Sequence, residues 1–219
     1  LSEGFDAFVL QGIFRFQDLA VYDTRERYRL IGREVPRLLL FTDKEELFWV
    51  CREVSDRFKI SSFCSGGPPS LVSSELIARD LARRQARNLR VAALTDYDPV
   101  GRDLAFELGY QLSSSVFGFQ SVHTTVLSTP DLFAPRTLER AGRPLLARGK
   151  GRREMSRSRV EPWLQQTGGL NGEPVGLPIE LAEPGLLLAR ITRWYEENTR
   201  ATDGIGSRVQ PRGSGSEKL

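Results

Sequence analysis

The stretch Thr95-Asp96-Tyr97-Asp98-Pro99-Val100-Gly101-Arg102 follows an apolar run at 91–94, which predicts a buried strand. Side chains alternate along an extended chain, so Asp96 and Asp98 point to the same side where this strand ends. Two carboxylates held that close repel each other, and a hard divalent cation such as Mg²⁺ is the usual neutraliser. The sequence therefore predicts a metal site at the end of this strand.

The residues after the second aspartate predict a turn into a helix. Pro99 prevents further pairing of the strand, and Gly101 permits a tight turn before a helical pattern at 102–108. An alternative interpretation is an Asp-rich turn in which Asp98 caps that helix. This alternative accounts for Asp98 and Pro99 but leaves Asp96 without a role.

A second acidic group follows the apolar run at 37–42 and reads Asp43-Lys44-Glu45-Glu46. Asp43 and Glu46 have the spacing of a capping box for a helix at 47–58. Helix caps are commoner than metal ligands, so this pattern alone favours the cap. Asp43 also ends a predicted strand, as Asp96 does, and both interpretations can hold together.

Residues 36–115 alternate strand and helix patterns, which predicts an α/β fold with a parallel sheet flanked by helices on both faces. Ligands of such sheets bind at the carboxyl ends of the strands, where Asp43 and Asp96 fall. The pattern divides the chain into an N-terminal helical segment at 1–35, this α/β domain with a C-terminal extension at 36–200, and a disordered tail at 201–219. The predicted strands are at 38–41, 60–63, 91–94, 122–127 and 177–181, and the predicted helices are at 23–33, 47–58, 73–87, 102–108, 159–166 and 184–198.

The motif Asp-x-Asp-Pro-x-Gly at 96–101 resembles the aspartate pair of the Toprim fold, and most of all the A subunit of type IIB topoisomerases (topoisomerase VI) and the related meiotic double-strand-break proteins. The resemblance covers about residues 35–115. Asp43 and Lys44 fall on the Glu-Lys pair of that family, with Asp in place of Glu. The loop at 65–70 lies where the family has a Gly- and Pro-containing loop; amides in such a loop can receive a phosphate, and a plain turn is the commoner role of such a loop. The segment at 178–181 is similar to a later acidic segment, in which Glu180 has little weight as a ligand.

This resemblance implies a Toprim-like domain that binds Mg²⁺ or Mn²⁺ through Asp43, Asp96 and Asp98, which would also be the catalytic residues. Because Asp is shorter than Glu, Glu45 or Glu46 stays open as the first acid. The resemblance also implies action on double-stranded DNA, a homodimer and a partner ATPase B-type subunit.

The family takes its nucleophilic tyrosine from a winged-helix domain, for which 35 preceding residues are too few. We therefore expect that tyrosine to be absent or supplied by another chain. The alternatives are a metal-dependent nuclease of the same superfamily and a non-catalytic DNA-binding or assembly module.

The positive charge of the chain is concentrated in one segment. The chain has 31 Lys and Arg against 28 Asp and Glu. The basic segment at 136–159 contains nine of the cations and is broken by glycines, which predicts a mobile loop or a hairpin of short helices. We expect this segment to contact DNA phosphates through Arg148, Lys150, Arg152 and Arg153. An ordinary solvated loop is the alternative interpretation.

Several classes of function have no support in the sequence. No apolar run is long enough to cross a membrane, so we expect a cytoplasmic, nucleoid-associated protein. The two cysteines lack metal-ligand spacing, and His123 is the only histidine. A zinc site or a histidine-based catalytic triad is therefore excluded.

Overall fold

The computed structural model describes residues 15–16, 25–146 and 155–203. Within these residues the chain forms an α/β fold with a five-stranded sheet flanked by helices and a separate two-stranded ribbon. The strands are β1 (Arg29–Leu30), β2 (Val35–Thr42), β3 (Ile60–Cys64), β4 (Asn88–Leu94), β5 (Ser121–Val126), β6 (Arg143–Pro144) and β7 (Val175–Gly176). The helices are α1 (Phe48–Phe58), α2 (Leu71–Arg83), α3 (Pro99–Ser113), α4 (Pro135–Ala141), α5 (Arg157–Thr167) and α6 (Pro184–Asp203).

The large sheet has the strand order β1-β3-β2-β4-β5. The neighbours from β3 to β5 are parallel, as the sequence predicts, and β2 and β4 lie side by side in the middle. At one edge β1 is antiparallel to β3, so the prediction of a wholly parallel sheet is wrong there. Only residues 31–34 connect β1 to β2. Two parallel strands need a crossover of a dozen or more residues, so this short connection makes β1 run opposite to β2 and its parallel neighbours.

Helices cover both faces of the sheet because alternate side chains of β2 enter two different cores. Leu38 and Leu40 pack in one core with residues of α1 and α6, while Leu39 and Phe41 pack in the other with residues of α2 and α3. A strand buried on both faces reads as a continuous apolar run, which is what the sequence shows at 38–41. The first of these cores also includes Leu177 of the C-terminal extension, which therefore packs directly on the α/β domain.

Three elements differ from the sequence prediction, two in type and one in where it begins. The helix predicted at 23–33 is wrong in its described part, where a 3₁₀ turn at Glu26–Tyr28 leads into β1. The strand predicted at 177–181 is also wrong, because Ile179–Leu181 is a 3₁₀ turn after the short strand β7. The helix predicted at 102–108 begins earlier, at Pro99. The strand predicted at 122–127 and the final helix are confirmed as β5 and α6.

Among the described residues, no helix is both long and apolar enough to span a bilayer. Most of the N-terminal segment at 1–24, the middle of the basic segment at 147–154 and the tail at 204–219 lie outside the described residues.

Candidate metal centre

Asp43 and Asp96 come together because they follow two neighbouring parallel strands. The last residue of β2, Thr42, lies opposite Leu94, the last residue of β4, so the residues that come next leave the same edge of the sheet. The charges of Asp96 and Asp98 both act on the carboxyl of Asp43. The structure thus brings together the three acids that the sequence singled out.

Asp98 has the capping role that the sequence left open, and its role as a metal ligand stays a prediction. Its Oδ1 accepts a hydrogen bond of 2.7 Å from the backbone N–H of Gly101, so Asp98 is the N-cap of α3, and Pro99 occupies the first turn. A side chain at position 101 would collide with the backbone of Asp96, so only glycine fits this turn. The cap holds Asp98 in one orientation beside Asp96.

Lys44 lies in the middle of the acids. Its Nζ is 2.8 Å from Oδ2 of Asp96, 3.8 Å from Oδ2 of Asp43 and 3.9 Å from Oε2 of Glu180. Burial lowers the pKa of Lys44, but the hydrogen bond that it donates to Asp96 and the surrounding negative charges outweigh burial, so the pKa lies above its usual value. We call Asp43, Asp96, Asp98 and Glu180 around Lys44 the acid cluster.

Asp43 is a largely buried carboxylate of the acid cluster. Its side chain is only 10% exposed, and its Oδ1 is buried without a hydrogen-bond partner among the described residues. Burial raises the pKa of Asp43 to about 6; Lys44 lowers it, and Asp96 raises it. Burial is also the main cause of a raised pKa at Asp98. A buried oxygen that lacks a donor is a position at which a bound cation would supply the missing partner.

Asp43 does not cap the helix that follows it. A 3₁₀ turn at Glu45–Leu47 precedes α1, and the residue that caps this turn is Lys44, without any side-chain hydrogen bond. The capping-box prediction for Asp43 and Glu46 is therefore wrong. Of the other two candidates for the first acid, Glu45 pairs with Arg25, and Glu46 is exposed to solvent.

The C-terminal extension completes the acid cluster. The backbone N–H of Ile179 donates a hydrogen bond of 3.0 Å to Oδ1 of Asp96, and Tyr97 exchanges two backbone hydrogen bonds with Leu177. These contacts place Glu180 near Lys44. The sequence pattern gives Glu180 little weight. Its segment contacts Asp96 from some 80 residues away in the chain, and only the folded structure brings the two segments together.

The loop at 65–70 borders the same edge of the sheet. The N–H of Gly67 donates a hydrogen bond of 2.7 Å to the backbone oxygen of Asp43, and the Ser70 hydroxyl caps α2 by accepting from Ser73. The predicted role of this loop in receiving a phosphate stays a prediction.

Two cavities lie beside the acid cluster. One, of about 440 Å³, has Asp96 and Asp98 at its rim, with Arg102, Phe106 and Trp163 among its lining residues. The other is lined by Pro178, Leu181 and residues at 136–144, and it has a volume of about 590 Å³. The four cations predicted to contact DNA, Arg148, Lys150, Arg152 and Arg153, lie outside the described residues.

Within the part of the chain that the structure describes, no three His, Cys, Asp or Glu side chains are already arranged closely enough to hold a metal ion. Lys44 carries the neutralising charge in this conformation. No family model, no curated protein and no solved structure matches the chain. The Toprim resemblance therefore stays a prediction from the motifs, and the acid cluster is the feature from which function is argued.

Proposed function

We propose that this chain is a Toprim-type, Mg²⁺-dependent protein that acts on the phosphodiester bonds of DNA, like the topoisomerase VI A subunit that its motifs resemble. The observation that carries the proposal is the meeting of Asp43, Asp96 and Asp98 at the ends of neighbouring parallel strands, with one buried Asp43 oxygen lacking a partner among the described residues. In this proposal the nucleophilic tyrosine is absent or supplied from outside the described residues.

The donor chemistry of the acid cluster fits Mg²⁺ or Mn²⁺. Both ions prefer oxygen ligands, and Mg²⁺ usually takes one or two carboxylates and keeps several waters. Asp43 supplies a buried oxygen without a donor in the described chain, and Asp96 supplies an oxygen that now binds Lys44. Binding of a cation requires the contact between Asp96 and Lys44 to yield, because both positive charges compete for the same carboxylate.

A bound Mg²⁺ would position a phosphate and stabilise the negative charge that develops on the departing oxygen. The chain itself supplies orientation. Asp98 is held by its cap to Gly101, and Asp96 by the N–H of Ile179, so neither carboxylate has to be ordered when substrate binds. Lys44, once released from Asp96, has an ammonium group available to donate hydrogen bonds to a phosphate oxygen.

Hydrolysis is the second candidate reaction, because it does not require Tyr97, the tyrosine of the aspartate motif, as a nucleophile. Tyr97 is the tyrosine between the two aspartates, but its hydroxyl donates to the backbone oxygens of Thr167 and Gly169, at 3.3 and 3.0 Å. Tyr97 is also only 4% exposed, so it is not placed to attack a phosphodiester bond. A metal-dependent nuclease, in which water is the nucleophile, needs no tyrosine.

Supercoiled plasmid separates the candidates. The chain is incubated with plasmid and Mg²⁺, and the products are analysed by gel with and without protease. Covalent protein–DNA adducts indicate transesterification, free nicked ends indicate hydrolysis, and a mobility shift without cleavage indicates a binding or assembly module.

Controls tie any cleavage to the acid cluster. D96N/D98N should abolish it, whereas D56N, a change of the same kind at the exposed Asp56 of α1, should not. Cleavage that persists in D96N/D98N, or in excess chelator, would contradict the proposal. A homodimer and an ATPase partner stay predictions of the resemblance.

A further inference from the structure

Three arginines line the 590 Å³ cavity. Arg136 and Arg140 lie one turn apart on α4, and Arg143 lies on β6. All three are exposed, and none forms an ion pair with a described residue. The described lining residues contain no carboxylate. We call this space the arginine cavity; its three like charges repel one another, and a bound anion relieves that repulsion.

The arginine cavity shares a wall with the acid cluster. Pro178 and Leu181 line the cavity. Of the two residues between them, Ile179 donates to Asp96, and Glu180 is itself a member of the cluster near Lys44. A ligand in the cavity is therefore next to the segment that holds Asp96.

The ribbon of β6 and β7 provides a second connection. Arg143 pairs with Gly176, which places the two backbones roughly 5 Å apart. Gly176 in turn packs on Asp98, since a Cβ on Gly176 would be 3.1 Å from the Cβ of Asp98. Arg143 therefore lies on the strand next to Gly176, and Gly176 contacts Asp98.

The two neighbouring features have opposite charge and suit two parts of one ligand. Guanidinium groups bind phosphate oxygens through paired hydrogen bonds, whereas carboxylates repel a phosphate unless a cation lies between them. A DNA strand carries a phosphate at every nucleotide, so a strand with one phosphodiester at the acid cluster brings further phosphates to adjacent surfaces.

We propose that the arginine cavity binds a backbone phosphate of the DNA strand, a few nucleotides from the phosphodiester bond presented to the acid cluster. This inference rests on the proposed action on DNA. The cavity then determines which way the strand runs across the cluster, and it does so without sequence preference, because phosphate contacts position DNA and do not read bases.

The test compares two triple variants of equal charge change. R136S/R140S/R143S removes the arginine cavity's cations. The control, R84S/R87S/R90S, removes three exposed arginines that precede or lie early in β4, at the opposite end of the strands from the acid cluster. Duplex affinity is measured by fluorescence anisotropy over a salt series with two unrelated sequences, and thermal melts check that each variant is folded.

If the contact to this one phosphate is lost, the log–log salt slope should fall by roughly 0.9 in the cavity variant, with an affinity loss of about tenfold or more for both sequences. The control should change both quantities less than half as much. R140S alone should lower the slope by less than the triple variant does, because two arginines still face the phosphate. Mn²⁺ binding, measured by calorimetry, should stay as in wild type, since none of the three arginines belongs to the acid cluster.

Equal effects of the two triple variants, or a cavity variant that matches wild type, would overturn this inference while leaving the proposed action on DNA intact. Inorganic pyrophosphate is the second probe. If pyrophosphate binds through the three arginines but wild type binds no duplex at low salt, the cavity is a site for a small anion, and both this inference and the proposed function fail.

Discussion

Replacement of Asp43 by Asn should stabilise the metal-free protein at neutral pH and leave its stability unchanged in acid. The pKa of this carboxyl is raised to about 6 in the folded protein, and it is about 3.9 in an unfolded chain. At about 1.4 kcal/mol for each pH unit between these values, the ionised carboxylate costs the fold about 3 kcal/mol. The amide of D43N is neutral at every pH, and the variant therefore escapes this cost.

The sign of the pH dependence follows from the direction of the pKa change. Between about pH 4 and pH 6 the native protein binds this proton while the unfolded chain has lost it, so the free energy of unfolding falls as pH rises through that window. The advantage of D43N should be near zero at pH 4 and complete above pH 7. For a chain of this size, about 3 kcal/mol corresponds to a rise in Tm of about 6 to 12 °C.

The assay is urea or thermal unfolding of wild type and D43N, with chelator present, at several pH values from 4 to 8. Wild type and mutant share all other titrating groups, so their difference isolates position 43. D56N is the matched control, because Asp56 is exposed on α1, and its stability difference should not vary with pH.

Addition of Mn²⁺ should reverse the order of stability. A ligand at 1,000 times its Kd stabilises a protein by about 4.1 kcal/mol, which exceeds the advantage of about 3 kcal/mol that D43N has in chelator, and only wild type retains the full set of carboxylates that would bind the ion. A stability difference between D43N and wild type that is independent of pH, or a D43N protein that is less stable at pH 7.5 in chelator, would show that burial of the Asp43 charge does not destabilise the fold.

Three further variants test neighbouring parts of the site. G101A should lose about 1 to 3 kcal/mol of stability and also weaken Mn²⁺ binding, because a methyl group there pushes on the backbone of Asp96; unfolding curves and calorimetry measure both effects, and an unchanged G101A would contradict the tight turn. K44Q should raise the affinity for Mn²⁺ in calorimetry, since Lys44 competes for Asp96, whereas K59Q at an exposed lysine should not; a weaker K44Q site would mean that Lys44 supports the cation. Replacement of the four cations of the basic segment by Ser should reduce the log–log salt slope of duplex binding by roughly 3.6 in fluorescence anisotropy, and a wild-type slope would leave an ordinary solvated loop; the variant is R148S/K150S/R152S/R153S.

The sequence predicted those parts of the fold that depend on local pattern. The apolar runs before Asp43 and Asp96 identified β2 and β4, and Pro99 with Gly101 identified the entry to α3. The antiparallel edge strand β1 was missed because it has only two residues, too few for an alternating pattern to be visible.

The candidate site was predictable to the extent that its residues follow strands. Asp43, Asp96 and Asp98 meet because parallel neighbours end at the same edge, which the order of strand and helix indicates in advance. Glu180 and the arginine cavity were not predictable in this way. Their positions depend on how the C-terminal extension packs on the strand-end loop, a contact between residues far apart in sequence that no local periodicity records.

The capping box predicted at Asp43 is a different kind of error, because here a local pattern was present but the structure does not follow it. The spacing of Asp43 and Glu46 matches a capping box, but the chain uses a 3₁₀ turn before α1, and the Asp43 side chain enters the acid cluster instead. Spacing alone does not distinguish a residue that turns back to its own helix from one that reaches across to a neighbouring strand.

Binding of a divalent cation by the acid cluster underlies both proposals, and calorimetric titration with Mn²⁺ at neutral pH measures it directly. Wild type should bind Mn²⁺ with saturable heat. D96N/D98N should show none while remaining folded, because Asn can still cap α3. Unchanged binding in the double variant, or no binding by the folded wild-type protein, would contradict a metal site at the acid cluster.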